Sequence, residues 1–335
     1  MQKRIGSSIL GAFGLLLLIL DAKTAIYSAQ KAIELCLYSV VPSIFPFLIL
    51  SCYLTPRLSA VNGKRKNPIC RILGIPNQAL GIYLVGLLGG YPAGAQSIRV
   101  AYDRGQLDKA TAQRMLAFCN NAGPAFLFGI LANSFPNMLY LWVLWGTQIL
   151  STLLVARLYP ATELPSVVYK QSAMISFTDS LKKSVVTMGY ICGWILLFRM
   201  LLGFFDRWFL WLFPTEIQVI LYGVFELANG CFSLGQITDV GLRFVVAGGM
   251  LAFGGFCVTM QTASVAGSLG INHYLKGKLL QMLICVALCI VLQMQLFSPS
   301  NLSIVLVFLC SAAVVSILMF GKREKNSSIP ATLGV

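Results

Sequence analysis

The sequence predicts an all-α polytopic membrane protein, with about eight transmembrane helices and two re-entrant helical hairpins arranged in inverted repeats. Three observations predict this fold class: long apolar runs, two apolar segments interrupted in the middle, and basic residues that collect on one side of the resulting topology. The chain has 335 residues, of which 57% are hydrophobic and only 11% are charged. Soluble domains usually carry about 25% charged residues, so the composition indicates a membrane protein.

Several apolar runs approach the ~20 residues that a helix needs to cross a bilayer. The predicted full spans are 5–20, 36–55, 115–135, 137–157, 184–205, 242–262, 279–297 and 301–320. The N-terminal "MQKR" and the apolar run after it resemble a signal peptide, but no clean cleavage site follows. We therefore interpret this segment as an uncleaved first span.

Two further apolar segments, 77–102 and 217–241, are interrupted by "GGYPAG" and "ELANG". Each arm has ~10–14 residues, which is roughly 15–21 Å of helix at 1.5 Å per residue. That length is too short to cross the ~30 Å hydrocarbon core. Two short arms around a break predict a re-entrant hairpin that enters and leaves the membrane on the same side.

The basic residues test this topology. With both hairpins re-entrant and the N-terminus in the cytoplasm, 20 of the 25 Lys and Arg residues fall in segments on the inside. Such one-sidedness is the positive-inside pattern, and it accounts for the net charge of +14 without a nucleic-acid partner. The sequence thus predicts a multi-pass protein of the cell membrane with both termini in the cytoplasm. Arg99 and Arg114 are expected to face the cytoplasm and to be solvated.

An internal repeat follows from the same topology. "SVVPSIFPFLIL" from Ser39 resembles "SVVTMGYICGWIL" from Ser184, and "MLAFCNNAGPAFL" from Met115 resembles "MLAFGGFCVTMQT" from Met250. The two halves cross the membrane in opposite directions, which makes them inverted copies, as is typical of secondary transporters. The predicted parts are an N-terminal span and interfacial segment (1–35), a first repeat (36–157), a cytoplasmic linker (158–183), a second repeat (184–297) and a C-terminal span with its tail (298–335).

Four breaks occupy matching places in the two halves. They are "GGYPAG" at 89–94, "CNNAGP" at 119–124, "ELANG" at 226–230 and "FGGFCVTMQ" at 253–261. Irregular backbone at membrane depth is tolerated where it lines a cavity or is buried in protein, and helix N-termini attract anions. The breaks therefore predict a polar pocket near the membrane midplane. The alternative is that the glycines only let helices pack closely, but close packing does not explain the Asn-Asn pair or the adjacent Pro.

Glu226 is the one acidic residue within a predicted break. Intramembrane acids are costly and usually functional, so Glu226 is a candidate for binding a coupling ion, H⁺ or Na⁺. The alternative is that its carboxylate only accepts hydrogen bonds from backbone N–H groups at the hairpin tip. No catalytic constellation, phosphate loop or metal-ligand spacing occurs in the sequence, so we expect neither an enzyme nor a cofactor.

The motifs "GYPAGA", "AFCNNAGPAF", "FELANG" and "FGGFCVTMQ" resemble those of the YlbJ-type sporulation integral membrane proteins, which carry a nucleoside-recognition, or Gate, type of membrane domain. The resemblance covers about residues 36–297. It implies a Gate-type fold related in outline to concentrative nucleoside carriers and to the membrane part of ferrous-iron permeases. It also implies a role in moving dipicolinic acid out of the mother cell, across the outer forespore membrane.

The resemblance assigns the substrate pocket to particular residues. They are Gly90, Tyr91, Pro92, Gly94, Asn120, Asn121, Gly123, Pro124, Asn229 and Gln261, with Glu226 as the ion-coupling candidate. The expected function is secondary transport of a small organic anion, with dipicolinate as the leading substrate. Two alternatives stay open: a non-transporting membrane scaffold for sporulation partners, and a carrier for nucleosides or metal ions. The expected partners are the anionic substrate, the lipid bilayer and a coupling ion, and the sequence leaves the oligomeric state open.

Overall fold

The computed structural model describes residues 12, 14–58, 67–159 and 175–297, and within these ranges the chain is helical and contains no β-strand. The α-helices there are, in chain order, α1 (Ala22–Leu35), α2 (Val41–Leu58), α3 (Pro68–Leu73), α4 (Leu80–Leu88), α5 (Ala93–Asp103), α6 (Lys109–Leu116), α7 (Pro124–Leu131), α8 (Leu139–Leu158), α9 (Phe177–Trp208), α10 (Thr215–Phe225), α11 (Leu227–Ser233), α12 (Val240–Phe253), α13 (Gly255–Ala266) and α14 (Asn272–Phe297).

Among the described residues, five helical stretches are long and apolar enough to cross a membrane. They are Ala22–Thr55, Leu139–Leu158, Phe177–Trp208, Val240–Leu269 and Asn272–Met294. This is the composition expected of a polytopic membrane protein. Eight spans and re-entrant hairpins remain predictions. Much of the predicted span 5–20, most of the linker 158–183, and the C-terminal part 298–335 with the span 301–320 lie outside the described residues.

Three predicted spans lie in helices that begin several residues earlier than predicted, and one of them is 184–205, whose helix α9 begins at Phe177. The helix that contains the predicted span 36–55 already begins at Ala22, because α1 continues into α2 through a π-helical turn, Cys36–Val40. The predicted span 279–297 belongs to α14, which begins at Asn272. The predicted spans begin where an apolar run begins in the sequence. A helix can include the polar residues before that point, because they do not interrupt its backbone hydrogen bonding. The predicted topology counted Lys278 among the basic residues of the inside segment 263–278. In the structure Lys278 lies inside a helix and not in a cytoplasmic loop, so the count was wrong for this residue.

All four predicted breaks interrupt helices. The first separates α4 from α5, and the second separates α6 from α7, so the predicted span 115–135 is two short helices. The third is Glu226 alone, which has extended backbone between α10 and α11. The fourth is shorter than the predicted 253–261: only Gly254, in the left-handed region, separates α12 from α13. Gly255, the first residue of α13, also has a positive φ of +78°, and the rest of the motif after it is helical.

One face of helix α14 packs closely against neighbouring helices. It packs along α12 and α8, while α9 packs along α1 and α2. A methyl group added at Gly248 of α12 would overlap the Cys289 side chain, and one added at Gly249 would lie 3.0 Å from Val286. Small residues of this kind let membrane helices approach closely. The packing brings the first turns of α14 beside the second break.

Candidate functional site

Three of the helix breaks, together with the helix that begins after the fourth, border one small cavity. Its wall is formed by Leu88, Gly89, Gly90 and Tyr91 at the first break, Ala122, Gly123, Ala125 and Phe126 at the second, Glu226, Leu227 and Ala228 at the third, Val258 and Gln261 after the fourth, and Val40, Ser43, Ile44, Ile191 and Ile195 from α2, α9 and the turn before α2. Both predicted repeats therefore contribute to the wall. The cavity holds about 30 Å³, and one water needs roughly 10–15 Å³, so it has room for about two waters.

Tyr91 connects the first break to the second half of the chain. Gly90 before it has φ of +75°, a conformation that glycine adopts without the steric cost of a Cβ atom. The turn places the Tyr91 side chain in the interior, where it is 6% exposed. Its hydroxyl donates a hydrogen bond of 3.0 Å to the carbonyl oxygen of Leu251, in the last turn of α12.

The backbone of the second break is in close contact with glycines of three helices. A Cβ atom at Gly86 or Gly94 would overlap the carbonyl oxygen of Cys119, and one at Gly277 would overlap the carbonyl oxygen of Ala117. Helices α4, α5 and α14 thus approach the same stretch of backbone without room for a side chain. Gly94, predicted to bind substrate, contacts this backbone and does not line the cavity.

The two asparagines of the second break are fully buried. Asn120 donates from Nδ2 to Thr262 Oγ1 at 3.0 Å, and its Oδ1 accepts from the Ala95 backbone N–H at 3.3 Å. Asn121 donates from Nδ2 to the Phe118 carbonyl at 2.8 Å. Asn120 therefore joins the break to both α5 and α13, while Asn121 bonds within the break and leaves its oxygen for other donors.

Lys278 is a buried cation beside the second break that the sequence analysis missed. Its side chain is 0% exposed. The ammonium donates to Asn121 Oδ1 at 3.1 Å and to Gln281 Oε1 at 2.6 Å. It also lies 4.9 Å from the centroid of the Tyr91 ring, within the range of a cation–π interaction.

The polar cluster continues across to α8. Gln281 donates from Nε2 to Asn121 Oδ1 at 3.0 Å, to Ser151 Oγ at 3.3 Å and to Gln148 Oε1 at 3.4 Å. Lys278 and Gln281 are three residues apart, and such residues share a helix face. Two polar residues at this spacing on one face of an apolar helix were the signal in the sequence. It was missed because the predicted span began at residue 279.

Glu226 caps the N-terminus of α11. Its Oε1 accepts from the Ala228 N–H at 3.0 Å, and its Oε2 accepts from the Asn229 N–H at 2.7 Å and from Asn229 Nδ2 at 2.6 Å. This is the geometry of an N-cap, one of the two roles that the sequence left open. Glu226 also lines the cavity. Asn229 faces the cap rather than the cavity.

The predicted site residues fall into two groups. Lining the cavity are Gly90, Tyr91, Gly123, Glu226 and Gln261. Around it, without lining it, lie Pro92, Gly94, Asn120, Asn121, Pro124 and Asn229. Pro92 and Pro124 instead mark helix starts, at the N-cap of α5 and the first residue of α7. Five of the eleven predicted residues thus line the cavity, and their role in binding stays a prediction.

The expected solvation of Arg114 is wrong. Its side chain is buried and donates to the Ala156 carbonyl at 2.6 Å and to the Gly74 carbonyl at 3.1 Å. Arg99 is half-buried and donates to the Ala266 carbonyl at 2.9 Å. The last carbonyl groups of a helix have no hydrogen-bond partner within the helix. Both guanidinium groups donate to such carbonyls and so connect the ends of neighbouring helices.

Comparisons with known proteins bear on the motifs. No family model and no solved structure matches the chain. The "Sporulation integral membrane protein YlbJ" of Bacillus subtilis (strain 168) is 27% identical over 290 residues, and the match covers 72% of this chain and 71% of that protein. The chain is thus similar, over most of its length, to a sporulation integral membrane protein of the YlbJ type, which confirms the resemblance that its motifs indicated.

Proposed function

We propose that this chain is a secondary transporter of a small organic anion, with dipicolinate as its substrate. The observation that carries the proposal is the meeting of three helix breaks, and of the helix after the fourth, around one cavity to which both predicted repeats contribute. Secondary transporters build their substrate sites from discontinuous helices in this way. The similarity to a sporulation membrane protein supports a role in sporulation, and the motif resemblance supports the outer forespore membrane as the location.

Helix N-termini favour an anion as the substrate. Helices α5 and α7 each begin at a break that borders the cavity. The N-terminus of a helix carries the equivalent of roughly half a positive charge, and it offers N–H groups to an anion. These ends supply positive potential at membrane depth with little cost of burying a full charge.

The cavity as it stands is closed to a substrate of this size. Ligand pockets usually measure roughly 300–1,000 Å³, whereas this cavity holds about 30 Å³. We interpret the arrangement as an occluded state of an alternating-access cycle, in which the two repeats separate on one side and then on the other. Substrate entry then requires the cavity wall to open.

Glu226 gives the cycle a site for ion coupling. Its carboxylate lines the same cavity as the proposed anion, and two negative charges at close range in a poorly polar environment repel each other strongly. We propose that H⁺ or Na⁺ binds to Glu226 when the anion is present. The ion removes the repulsion, so that anion and ion move together.

The two alternatives receive less support from the structure. A membrane scaffold has no need for a buried polar cluster such as the one around Lys278, whose burial is costly unless every polar group is paired. A metal carrier needs ligands, and across the described ranges no group of three or more His, Cys, Asp or Glu side chains is placed to hold a metal ion. A nucleoside carrier is separated from an anion carrier by transport assay.

Transport in liposomes tests the proposal. Purified protein is reconstituted, and uptake of labelled dipicolinate is measured with an imposed H⁺ or Na⁺ gradient. Protein-free liposomes and liposomes preloaded with unlabelled dipicolinate serve as controls. We expect saturable uptake that the gradient drives above equilibrium. Absence of any dipicolinate flux, together with uptake of labelled nucleosides, would replace this function with the nucleoside alternative.

A further inference from the structure

We propose that Lys278 binds a carboxylate group of the transported anion, and that the ring of Tyr91 must move aside for the anion to reach it. This inference rests on the proposed transport function and names the cationic residue of its site. The observations that carry it are the partners of the ammonium, the bonds those partners make with each other, and the position of Tyr91.

The partners of Lys278 differ from those of the other buried charges. Within the described part of the chain, the buried charged side chains are Arg114, Glu226 and Lys278. Arg114 donates to backbone carbonyls, and Glu226 accepts from backbone N–H groups at a helix start. The hydrogen bonds of Lys278 go to side-chain amides, and it takes part in none of the ion pairs between described residues. Among the buried charged residues of the described part of the chain, Lys278 is thus the one whose hydrogen bonds go only to neutral side chains.

Those amides can release the ammonium without losing all their own partners. Gln281 also bonds to Asn121 and reaches Ser151, so the cluster keeps hydrogen bonds when Lys278 turns away. A carboxylate forms stronger hydrogen bonds with an ammonium than a neutral amide does. Pairing with an anion also compensates a buried charge that is otherwise expensive. Exchange of amide for carboxylate is therefore favourable once the anion arrives.

Tyr91 lies between the cavity and the ammonium. Its ring contacts both: it lines the cavity and lies 4.9 Å from Lys278 Nζ, whereas Lys278 does not line the cavity. The hydrogen bond from its hydroxyl to the Leu251 carbonyl holds the ring in this position. A small anion in an enlarged cavity would meet this ring first. Displacing the ring opens the path to Lys278 and leaves an aromatic surface on which a flat substrate can stack.

Binding measurements on a matched pair of variants test the inference. Lys278→Met removes the charge and keeps the length of the side chain. Gln148→Met is the control, because Gln148 is also fully buried and belongs to the same polar cluster but does not contact Lys278. Each protein is purified in detergent, checked for monodispersity and thermal unfolding, and titrated with dipicolinate, phthalate and succinate.

We expect Lys278→Met to weaken dipicolinate binding by roughly 30-fold or more, as removal of one partner of a buried charge pair typically does. Gln148→Met should change the affinity by less than about threefold at a similar loss of thermal stability. Lys278→Gln, which stays polar but loses the charge, should behave like Lys278→Met.

Four outcomes would overturn the assignment. Wild-type affinity in either Lys278 variant would remove the lysine from the site but leave the transport function standing. An equal loss in Gln148→Met, or failure of both Lys278 variants to fold, would assign Lys278 to the fold. A wild-type protein that binds none of the three dicarboxylates would overturn both the lysine assignment and the proposed substrate class.

Discussion

Replacing Gly94 by alanine should damage the protein by collision with the backbone of the second break. The added Cβ atom would overlap the Cys119 carbonyl oxygen and lie 3.0 Å from Asn120 Cα. Ordinary van der Waals contact begins at 3.4 Å, and the carbonyl oxygen is the closest atom, so the segment has to retreat by more than about 1 Å. Gly86, on the neighbouring helix, is packed against the same oxygen. Overpacking of this kind costs about 1–3 kcal/mol, and sometimes more.

Thermal unfolding of detergent-purified protein measures this effect. A loss of about 1–3 kcal/mol corresponds to a fall in Tm of roughly 2–12 °C, using the proportion found for medium-sized proteins. Gly146→Ala is the matched control, because Gly146 lies within α8 and no atom lies within 4 Å of its added Cβ. Alanine in an open helical position should be neutral or slightly stabilising, by up to about 1 kcal/mol.

Two results would refute the reasoning. If Gly94→Ala matched Gly146→Ala in both Tm and dipicolinate affinity, the close contact would carry no energetic weight. If it kept its Tm but lost affinity, Gly94 would belong to the substrate surface, as the motif resemblance implied, and not to the packing of the second break.

The remaining predictions concern the polar groups and the topology. Asn121→Ala should weaken dipicolinate binding by at least about tenfold in folded protein, because it removes a hydrogen bond beside the proposed charge site; unchanged affinity in a titration would argue against the site. Glu226→Gln should leave the protein folded but abolish accumulation of substrate against a gradient. Glu226→Ala should in addition lower the free energy of unfolding by about 0.5–2 kcal/mol, because the helix cap is lost. Normal concentrative uptake by the Gln variant would remove Glu226 from coupling. Cysteines introduced near Lys64, Arg104 and Lys170 should be labelled only from the cytoplasmic side, and labelling of any of them from outside intact cells would contradict the predicted topology.

The sequence predicted the helix breaks because their cause is local. Glycine and proline interrupt helices through their own backbone geometry, and the interruptions at 89–94, 119–124 and Glu226 follow from such residues or from a cap. The fourth break shows the limit of this reasoning. In "FGGFCVTMQ" only Gly254 and Gly255 have positive φ, since the mixed residues after the two glycines return to helical hydrogen bonding at once.

Contacts between distant segments could not be predicted. The sequence predicts that Lys278 is a loop residue, because it stands at the edge of an apolar run. In the structure it donates a hydrogen bond to Asn121, which lies 157 residues earlier in the chain. The motif resemblance places Gly94 in a substrate-binding loop, but in the structure Gly94 packs against the Cys119 backbone. In both cases the role is decided by how α5 and α14 pack on the second break. No local pattern in a single sequence reports that packing.

The contact of Gly86, Gly94 and Gly277 with the 117–120 backbone also constrains where the protein can move. Three helices that touch one stretch of main chain have no side chains between them to repack, and close-packed interiors shift between discrete arrangements rather than deforming smoothly. We therefore expect this part of the molecule to keep its arrangement. On the proposed transport function, widening of the cavity should come from the part of its wall formed by α2, α9 and the Glu226 break. A cross-link between α5 and the second break should leave transport intact, whereas one between α9 and the second break should arrest it.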